Sequence, residues 1–150
     1  MRTLGLDVGT KTIGVAVSDG LGLTAQAVTT IRRTNIKADL AALAALAREH
    51  EASRMVIGLP LNMDGSEGPR AEASRKFAEV AGQTLDMPVE FWDERLSTVA
   101  AERTLLEADL SRAKRRQVID QVAAQFILQG WLDAHTSAAN VHADDFDTED

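Results

Sequence analysis

The sequence predicts an α/β fold in which helices cover both faces of a mixed five-stranded sheet. A length of 150 residues and a hydrophobic content of 45% fit one domain with a buried core. The first part of the chain has β-type segments separated by short turns, which predicts an antiparallel three-stranded meander. The rest alternates short apolar runs with helix-period segments, a pattern typical of strands that are joined by helices.

The order of the elements follows from the spacing of the apolar residues. A period of two predicts one strand through Leu4 and Leu6 and a second through Ile13 and Val15. Asn35 is the predicted N-cap of the first helix. The predicted elements are strands at 4–8, 13–17 and within 23–31, a helix at 35–50, a strand at 54–59, a helix at 70–84, a strand at 89–92, and helices at 98–107 and 112–133.

The composition excludes several kinds of protein. The chain has no cysteine, which removes disulfides, thiolate zinc sites and cysteine nucleophiles. Its longest apolar run, residues 40–47, is far shorter than the roughly 20 residues that span a bilayer. Asp7 interrupts the apolar stretch that a secretory signal would need. We therefore expect a cytoplasmic protein.

The net charge of −7 is unevenly distributed along the chain. Five of the 23 acidic residues lie in 136–150, which contains no Lys or Arg, so 18 acids face 16 bases in the remainder. We expect a folded domain at 1–135 and an acidic, disordered tail at 136–150. Because the domain itself is close to neutral, a nucleic-acid partner is compatible with this charge distribution.

Acidic residues occur at two of the predicted strands. Asp7 interrupts the most apolar strand, where a carboxylate is costly unless it is hydrogen-bonded, paired or bound to a metal. Asp93 and Glu94 directly follow the 89–92 strand, and only one of the two can face the same way as Asp7. A turn cap at Asp7 and an ion pair with Arg95 are the structural alternatives.

A third acid, Asp120, lies on a largely apolar face of the last predicted helix. Ala123, Ala124 and Ile127 share that face at 100° per residue. An i, i+4 ion pair with Arg116 is the structural alternative. Three carboxylates that converge without His or Cys favour Mg²⁺ or Mn²⁺. Two such ions can activate a water molecule and stabilise the leaving oxygen in phosphodiester hydrolysis.

Four segments of the sequence together resemble the YqgF/RuvX family. They are LDVGTKTIGVAVSD, which ends at residue 19, IGLPLNMDGSEGPRA at 57–71, FWDERLST at 91–98, and VIDQVAAQFILQGWLD at 118–133. The resemblance covers about residues 1–133, with the motifs in order and at the right spacing. The family is associated with Holliday junction resolution and, in bacteria, with maturation of the precursor of small-subunit ribosomal RNA.

The resemblance implies an RNase H-like fold and a metal-dependent acidic triad. Carried over to this sequence, the triad falls on Asp7, on Glu94 in the DER motif, and on Asp120. The implied activity is that of a metal-dependent endonuclease, with two Mg²⁺ or Mn²⁺ ions as cofactors. A catalytically silent RNA-binding or ribosome-assembly module of the same fold is the alternative.

Other residues of these motifs are candidates for contact with nucleic acid. The turn at 9–11 and the Gly-rich loop at 61–69 offer backbone donors and polar side chains near a phosphate, although a simple hairpin turn and a surface connection explain them equally well. The candidates are Thr10, Lys11, Asn62, Ser66, Arg95, Arg115 and Arg116. The expected partners are precursor ribosomal RNA or a four-way DNA junction, with a ribosomal particle or a homodimer as further possibilities.

Overall fold

The computed structural model describes residues 2–96 and 112–147, with side chains for 2–96 and 119–136. Most of the predicted strands and helices are present in the expected order. They are β1 Arg2–Val8, β2 Thr12–Ser18, β3 Ala25–Arg32, α1 Ile36–Glu49, β4 Ala52–Leu59, α2 Pro69–Leu85, β5 Val89–Asp93, a 3₁₀ turn Glu94–Leu96, and α3 Arg112–Asp147. The helix predicted at 98–107 lies outside the described residues.

The five strands form one mixed sheet in the order β3-β2-β1-β4-β5. Strands β1, β2 and β3 pair antiparallel, while β4 runs parallel to both β1 and β5. This topology confirms the predicted meander followed by strands that are connected through helices. The carboxyl ends of β1, β4 and β5 therefore meet at one edge of the sheet.

Each face of the sheet packs against helices. On one face the alternate residues of β1, β2 and β4 pack with α1 and α2 around Leu6, Ile57 and Leu43, all fully buried. On the other face Ala16 and Val56 pack with α3 around Ile127. Because successive strand residues point to opposite faces, one set of positions serves each helical layer.

Helix α1 begins where the sequence predicts. The Asn35 side chain accepts a hydrogen bond from the backbone N–H of Ala38 at 2.9 Å, as an N-cap does. Helix α3 is fastened to the other side of the meander by Gln129. Its Oε1 accepts from the N–H of Ala25 at 2.9 Å and its Nε2 donates to the carbonyl of Leu23 at 2.9 Å. These two bonds fix α3 against the start of the edge strand β3.

The end of α3 differs from the expectation. The sequence predicted a helix that ends near Asp133, whereas α3 continues to Asp147 and includes most of the segment that was expected to lack structure. Alanines are frequent between 134 and 143, and their high helix propensity favours a helix that continues beyond Asp133. The division into a domain at 1–135 and a tail at 136–150 stays a prediction. Within the described residues, no helix is long and apolar enough to cross a membrane.

Candidate active site

Asp7 lies on the sheet face that packs against α3. Gly5, two residues earlier on β1, faces this helix, since a Cβ on it would lie 2.6 Å from Leu128 Cβ. Asp7 is only 6% exposed. It pairs with Gly14 of β2, and the parallel register of β1 and β4, continued by one residue, brings Gly58 beside it. Glycines on both neighbouring strands therefore flank this buried carboxylate.

The two adjacent acids at the end of β5, Asp93 and Glu94, have different surroundings. A Cβ on Gly58 would lie 3.3 Å from Glu94 Cδ, so the Glu94 carboxyl group lies over Gly58 on the α3 side of the sheet. Asp93 instead accepts from Arg95 Nη2 at 2.7 Å and from Arg95 Nε at 3.1 Å. The hydrogen bond from the Arg95 side chain holds the pKa of Asp93 below its ordinary value. Glu94, and not Asp93, therefore shares a face with Asp7.

Asp120 reaches the same face from α3, directly above β2. A Cβ on Gly14 would lie 1.9 Å from the backbone oxygen of Asp120, so only a glycine permits this crossing. The Asp120 side chain accepts a hydrogen bond from Thr12 Oγ1 at 2.5 Å through its Oδ2 atom. Sequence reasoning missed Thr12, although its position two residues before Gly14 on β2 places it on the α3 face.

The candidate acids have the chemistry of a divalent-cation site. Asp7, Glu94 and Asp120 offer only carboxylate oxygens, which Mg²⁺ and Mn²⁺ prefer. Among the side chains at 2–96 and 119–136, however, no three Asp, Glu or His groups lie close enough together to hold an ion. The donor set thus fits the cation, while the described positions do not form a three-ligand cluster.

The loop between β4 and α2 contains two of the predicted contact residues. Asn62 Nδ2 donates to Ser66 Oγ at 3.0 Å, and Ser66 Oγ donates to Asp64 Oδ1 at 2.6 Å. The Ser66 hydroxyl bond lowers the pKa of Asp64. All three side chains are exposed. The loop is thus ordered by its own side chains and presents them to solvent.

Arg95 holds this loop against the end of β5. Besides its bonds to Asp93, its Nη1 donates to the carbonyl of Met63 at 3.2 Å. A Cβ on Gly65 would lie 3.5 Å from the same Nη1 atom. The ion pair with Asp93, which is the structural alternative for Arg95, is present, and the same guanidinium connects β5 to the loop. The nucleic-acid contact of Arg95 stays a prediction.

The remaining predicted contacts lie at two other positions. Thr10 and Lys11 form the exposed turn between β1 and β2, three and four residues after Asp7. Arg115 and Arg116 lie in the first turns of α3, on the helix that carries Asp120, but their side chains are outside the described set.

Sequence reasoning gave no positioning role to Arg33, which donates from Nη1 to the carbonyl of Gly9 at 2.8 Å. No local spacing signals this contact.

Comparison with known proteins gives a consistent result at the levels of sequence and fold. A protein from Myxococcus xanthus is 75% identical over 150 residues, covering 99% of each chain, and one from Moorella thermoacetica is 65% identical over 133 residues, covering 89% of this chain and 95% of that protein. Both carry the name "Putative pre-16S rRNA nuclease".

Among solved structures, RuvC of T. thermophilus in complex with a Holliday junction substrate is similar in fold. The TM-score is 0.56 at 11% identity, over 91% of this chain and 96% of that one. The resolvase of Fowlpox virus, also with Holliday junction DNA, gives a TM-score of 0.50 at 9% identity, over 89% and 98% of the two chains. These likenesses show that the chain has an RNase H-like fold.

A family model described as "RuvX: Holliday junction resolvase" matches residues 1–134. This range contains all four sequence motifs and every strand of the sheet. The carboxylate face described above also lies within it. The chain therefore belongs to the RuvX family.

Proposed function

We propose that the protein is a metal-dependent endonuclease that hydrolyses phosphodiester bonds in structured nucleic acid. One observation carries the proposal: β1, the end of β5 and α3 each bring a carboxylate to the same face of the sheet, where glycines at 14 and 58 make room. Membership of the RuvX family supports nuclease activity. Asp7 is buried, where a carboxylate is costly unless it is hydrogen-bonded, paired or bound to a metal, and Glu94 and Asp120 are half-buried.

Asp7, Glu94 and Asp120 are the proposed ligands of one or two Mg²⁺ or Mn²⁺ ions. The bound ions would supply a more acidic water and stabilise the leaving oxygen. Thr12 would hold the Asp120 carboxylate in place through the 2.5 Å hydrogen bond. Thr10 and Lys11, on the turn beside Asp7, would bind a phosphate next to the cleaved bond. Water is the proposed nucleophile, so no covalent intermediate forms on a side chain.

The proposed substrate is the precursor of 16S ribosomal RNA. The relatives at 75% and 65% identity carry that substrate in their name, while the family description names the four-way DNA junction. The high identity to the first group favours the RNA. A ribosomal-RNA substrate would place the protein in the cytoplasm, as the sequence predicts, and would allow it to act on a ribosomal particle. A junction substrate would instead require a two-fold dimer that cuts both strands.

The test compares labelled precursor ribosomal RNA with a labelled four-way DNA junction, each with Mg²⁺, Mn²⁺ or EDTA. Asp7→Asn removes a proposed ligand and is expected to abolish cleavage while nucleic-acid binding remains. Asp86→Asn is the matched control, because it makes the same chemical change at an exposed position at the other end of the sheet. Its left-handed backbone, with φ of 51°, accepts Asn readily.

Three results distinguish the possibilities. Metal-dependent cleavage that Asp7→Asn loses and Asp86→Asn keeps supports the nuclease and identifies its substrate. Full activity of purified Asp7→Asn would show that the proposed site is wrong. Binding of either substrate without cleavage under any condition would favour the catalytically silent RNA-binding or ribosome-assembly module.

A further inference from the structure

One residue outside the sheet bonds both ends of the turn that links β1 to β2. Arg33, directly after β3, donates from Nη1 to the carbonyl of Gly9 at 2.8 Å. Its backbone N–H donates to the carbonyl of Lys11 at 2.9 Å. Within the turn, the N–H of Gly9 donates to the carbonyl of Thr12 at 2.9 Å. The turn is therefore held from within and from Arg33.

Arg33 is itself fixed from two helices. Its Nε donates to Asp39 Oδ2 at 3.1 Å, and the other oxygen of Asp39 accepts from the N–H of Thr34 at 3.1 Å. Asp39 is on α1 and is 2% exposed. The Arg33 guanidinium also lies 5.4 Å from the centre of the Phe77 ring on α2. The buried Asp39 charge is stable only with its hydrogen bonds satisfied, so Arg33, whose side chain is 25% exposed, is held by this pair and by the Phe77 ring.

The contact with Gly9 fixes the direction of a peptide group. In a trans peptide the carbonyl of one residue and the N–H of the next point in opposite directions. Since the Gly9 carbonyl points to Arg33, the N–H of Thr10 points away from Arg33. The partners of Arg33 on α1 and α2 belong to one layer of the fold, and Asp7 faces the other layer.

We propose that Arg33 is a positioning residue that holds the β1–β2 turn so that Thr10 and Lys11 bind a phosphate of the nucleic acid beside Asp7. This inference rests on the proposed nuclease function. Arg33 does not touch the substrate in this arrangement. It acts through the orientation of the Gly9 peptide, and Asp39 and Phe77 keep its guanidinium in place.

Two variants of Arg33 test the proposal. Arg33→Met removes the contact with Gly9, and Arg33→Lys keeps the charge but loses the planar fork that serves Gly9 and Asp39 together. We expect Arg33→Met to raise KM for the cleaved substrate about tenfold, with a smaller change in kcat, because a hydrogen bond from a charged group is lost. Amide hydrogen exchange in the turn is expected to become about tenfold faster. For Arg33→Lys, we expect the KM and the exchange rate to lie between the values of Arg33→Met and of the wild type.

Two control variants separate positioning from general effects. Leu43→Ala removes core packing from α1 and lowers stability without touching the turn. Arg32→Met removes the same charge from the neighbouring, exposed residue. The inference is wrong if Leu43→Ala, at a similar loss of Tm, raises KM and turn exchange as much as Arg33→Met does. It is also wrong if Arg32→Met raises KM equally, because charge alone would then explain the effect.

Failure of the proposed function would be visible in the wild-type protein, without any variant. A wild-type protein that neither cleaves nor binds precursor ribosomal RNA or a four-way junction contradicts the nuclease itself. Failure of the positioning role appears only as a lack of difference between the Arg33 variants and their controls. Hydrogen exchange in the turn reports on the Arg33 contact without any substrate.

Discussion

A methyl group at position 14 should separate α3 from the sheet at the candidate active site. In Gly14→Ala the new Cβ would lie 1.9 Å from the backbone oxygen of Asp120 and 2.5 Å from its carbonyl carbon. Both contacts are with backbone, so no side-chain rotation relieves them. Strand β2 is held on both sides, by β1 and by β3, and cannot retreat. Helix α3 must therefore move.

The size of the movement follows from the contact distance. Ordinary van der Waals contact begins at 3.4 Å, so the helix must move by about 1.5 Å near Asp120. Such overpacking costs roughly 1–3 kcal/mol of unfolding free energy. A shift of this size would also break the 2.5 Å bond between Thr12 and Asp120. Since a misplacement of about 1 Å can reduce a rate roughly 100-fold, cleavage is expected to fall by at least that factor.

The assay combines urea unfolding with the cleavage rate, and two other glycines serve as controls. Gly5→Ala meets Leu128 Cβ at 2.6 Å on the same sheet face, eight residues along α3 from Asp120, so it should cost stability with a smaller loss of rate. Gly20→Ala has no atom within 4 Å and should change neither quantity. Wild-type stability and wild-type cleavage in Gly14→Ala would refute the close crossing of α3 over β2.

Three further predictions concern Thr12, Asp93 and the two arginines near the start of α3. Thr12→Val removes the donor to Asp120 and is expected to slow cleavage about tenfold, whereas Thr12→Ser should retain the rate; equal rates in both would contradict the role of the hydroxyl. Because the folded-state pKa of Asp93 is lowered, its stabilising contribution is present above about pH 4 and is lost as the pH falls through the lowered pKa. The Tm difference between wild type and Asp93→Asn should therefore be constant from about pH 5 upward and shrink in stronger acid; a difference that disappears already between pH 5 and 7 would exclude this explanation. Replacing Arg115 and Arg116 by Gln should weaken nucleic-acid binding and reduce its salt dependence by about one slope unit per lost phosphate contact, and an unchanged slope would argue against contact.

The sequence was informative about the sheet because its evidence is local. Alternation in β1 and β2, the Asn35 cap and the short apolar runs of β4 and β5 each depend on neighbouring residues, and the structure confirms these elements. The predicted end of the last helix, at 133, was wrong, because α3 continues for fourteen more residues, to 147. The segment after 133 has few large apolar residues, so the sequence predicted no helix there, but the frequent alanines favour a helix by their own propensity.

For the candidate site, too, the sequence was informative only where the evidence is local. Local patterns single out the candidate acids: Asp7 lies in an apolar strand, Asp93 and Glu94 come at the end of a strand, and Asp120 lies on an apolar helix face. Each of these patterns spans only a few residues of sequence. Spacing could not separate Asp93 from Glu94. Asp93 is bonded by the Arg95 guanidinium, whereas the Glu94 carboxyl group lies over Gly58. Only the folded chain brings these groups together.

The sequence by itself determined the order of strands and helices, the motifs of the RuvX family and the residue types at the candidate site. Only the tertiary structure decided which groups hold those residues in place. The bond between Thr12 and Asp120 joins residues 108 positions apart, and that between Arg33 and Gly9 joins residues 24 apart. Contacts of this kind depend on how strands and helices cross in space, and no periodicity along the chain records a crossing.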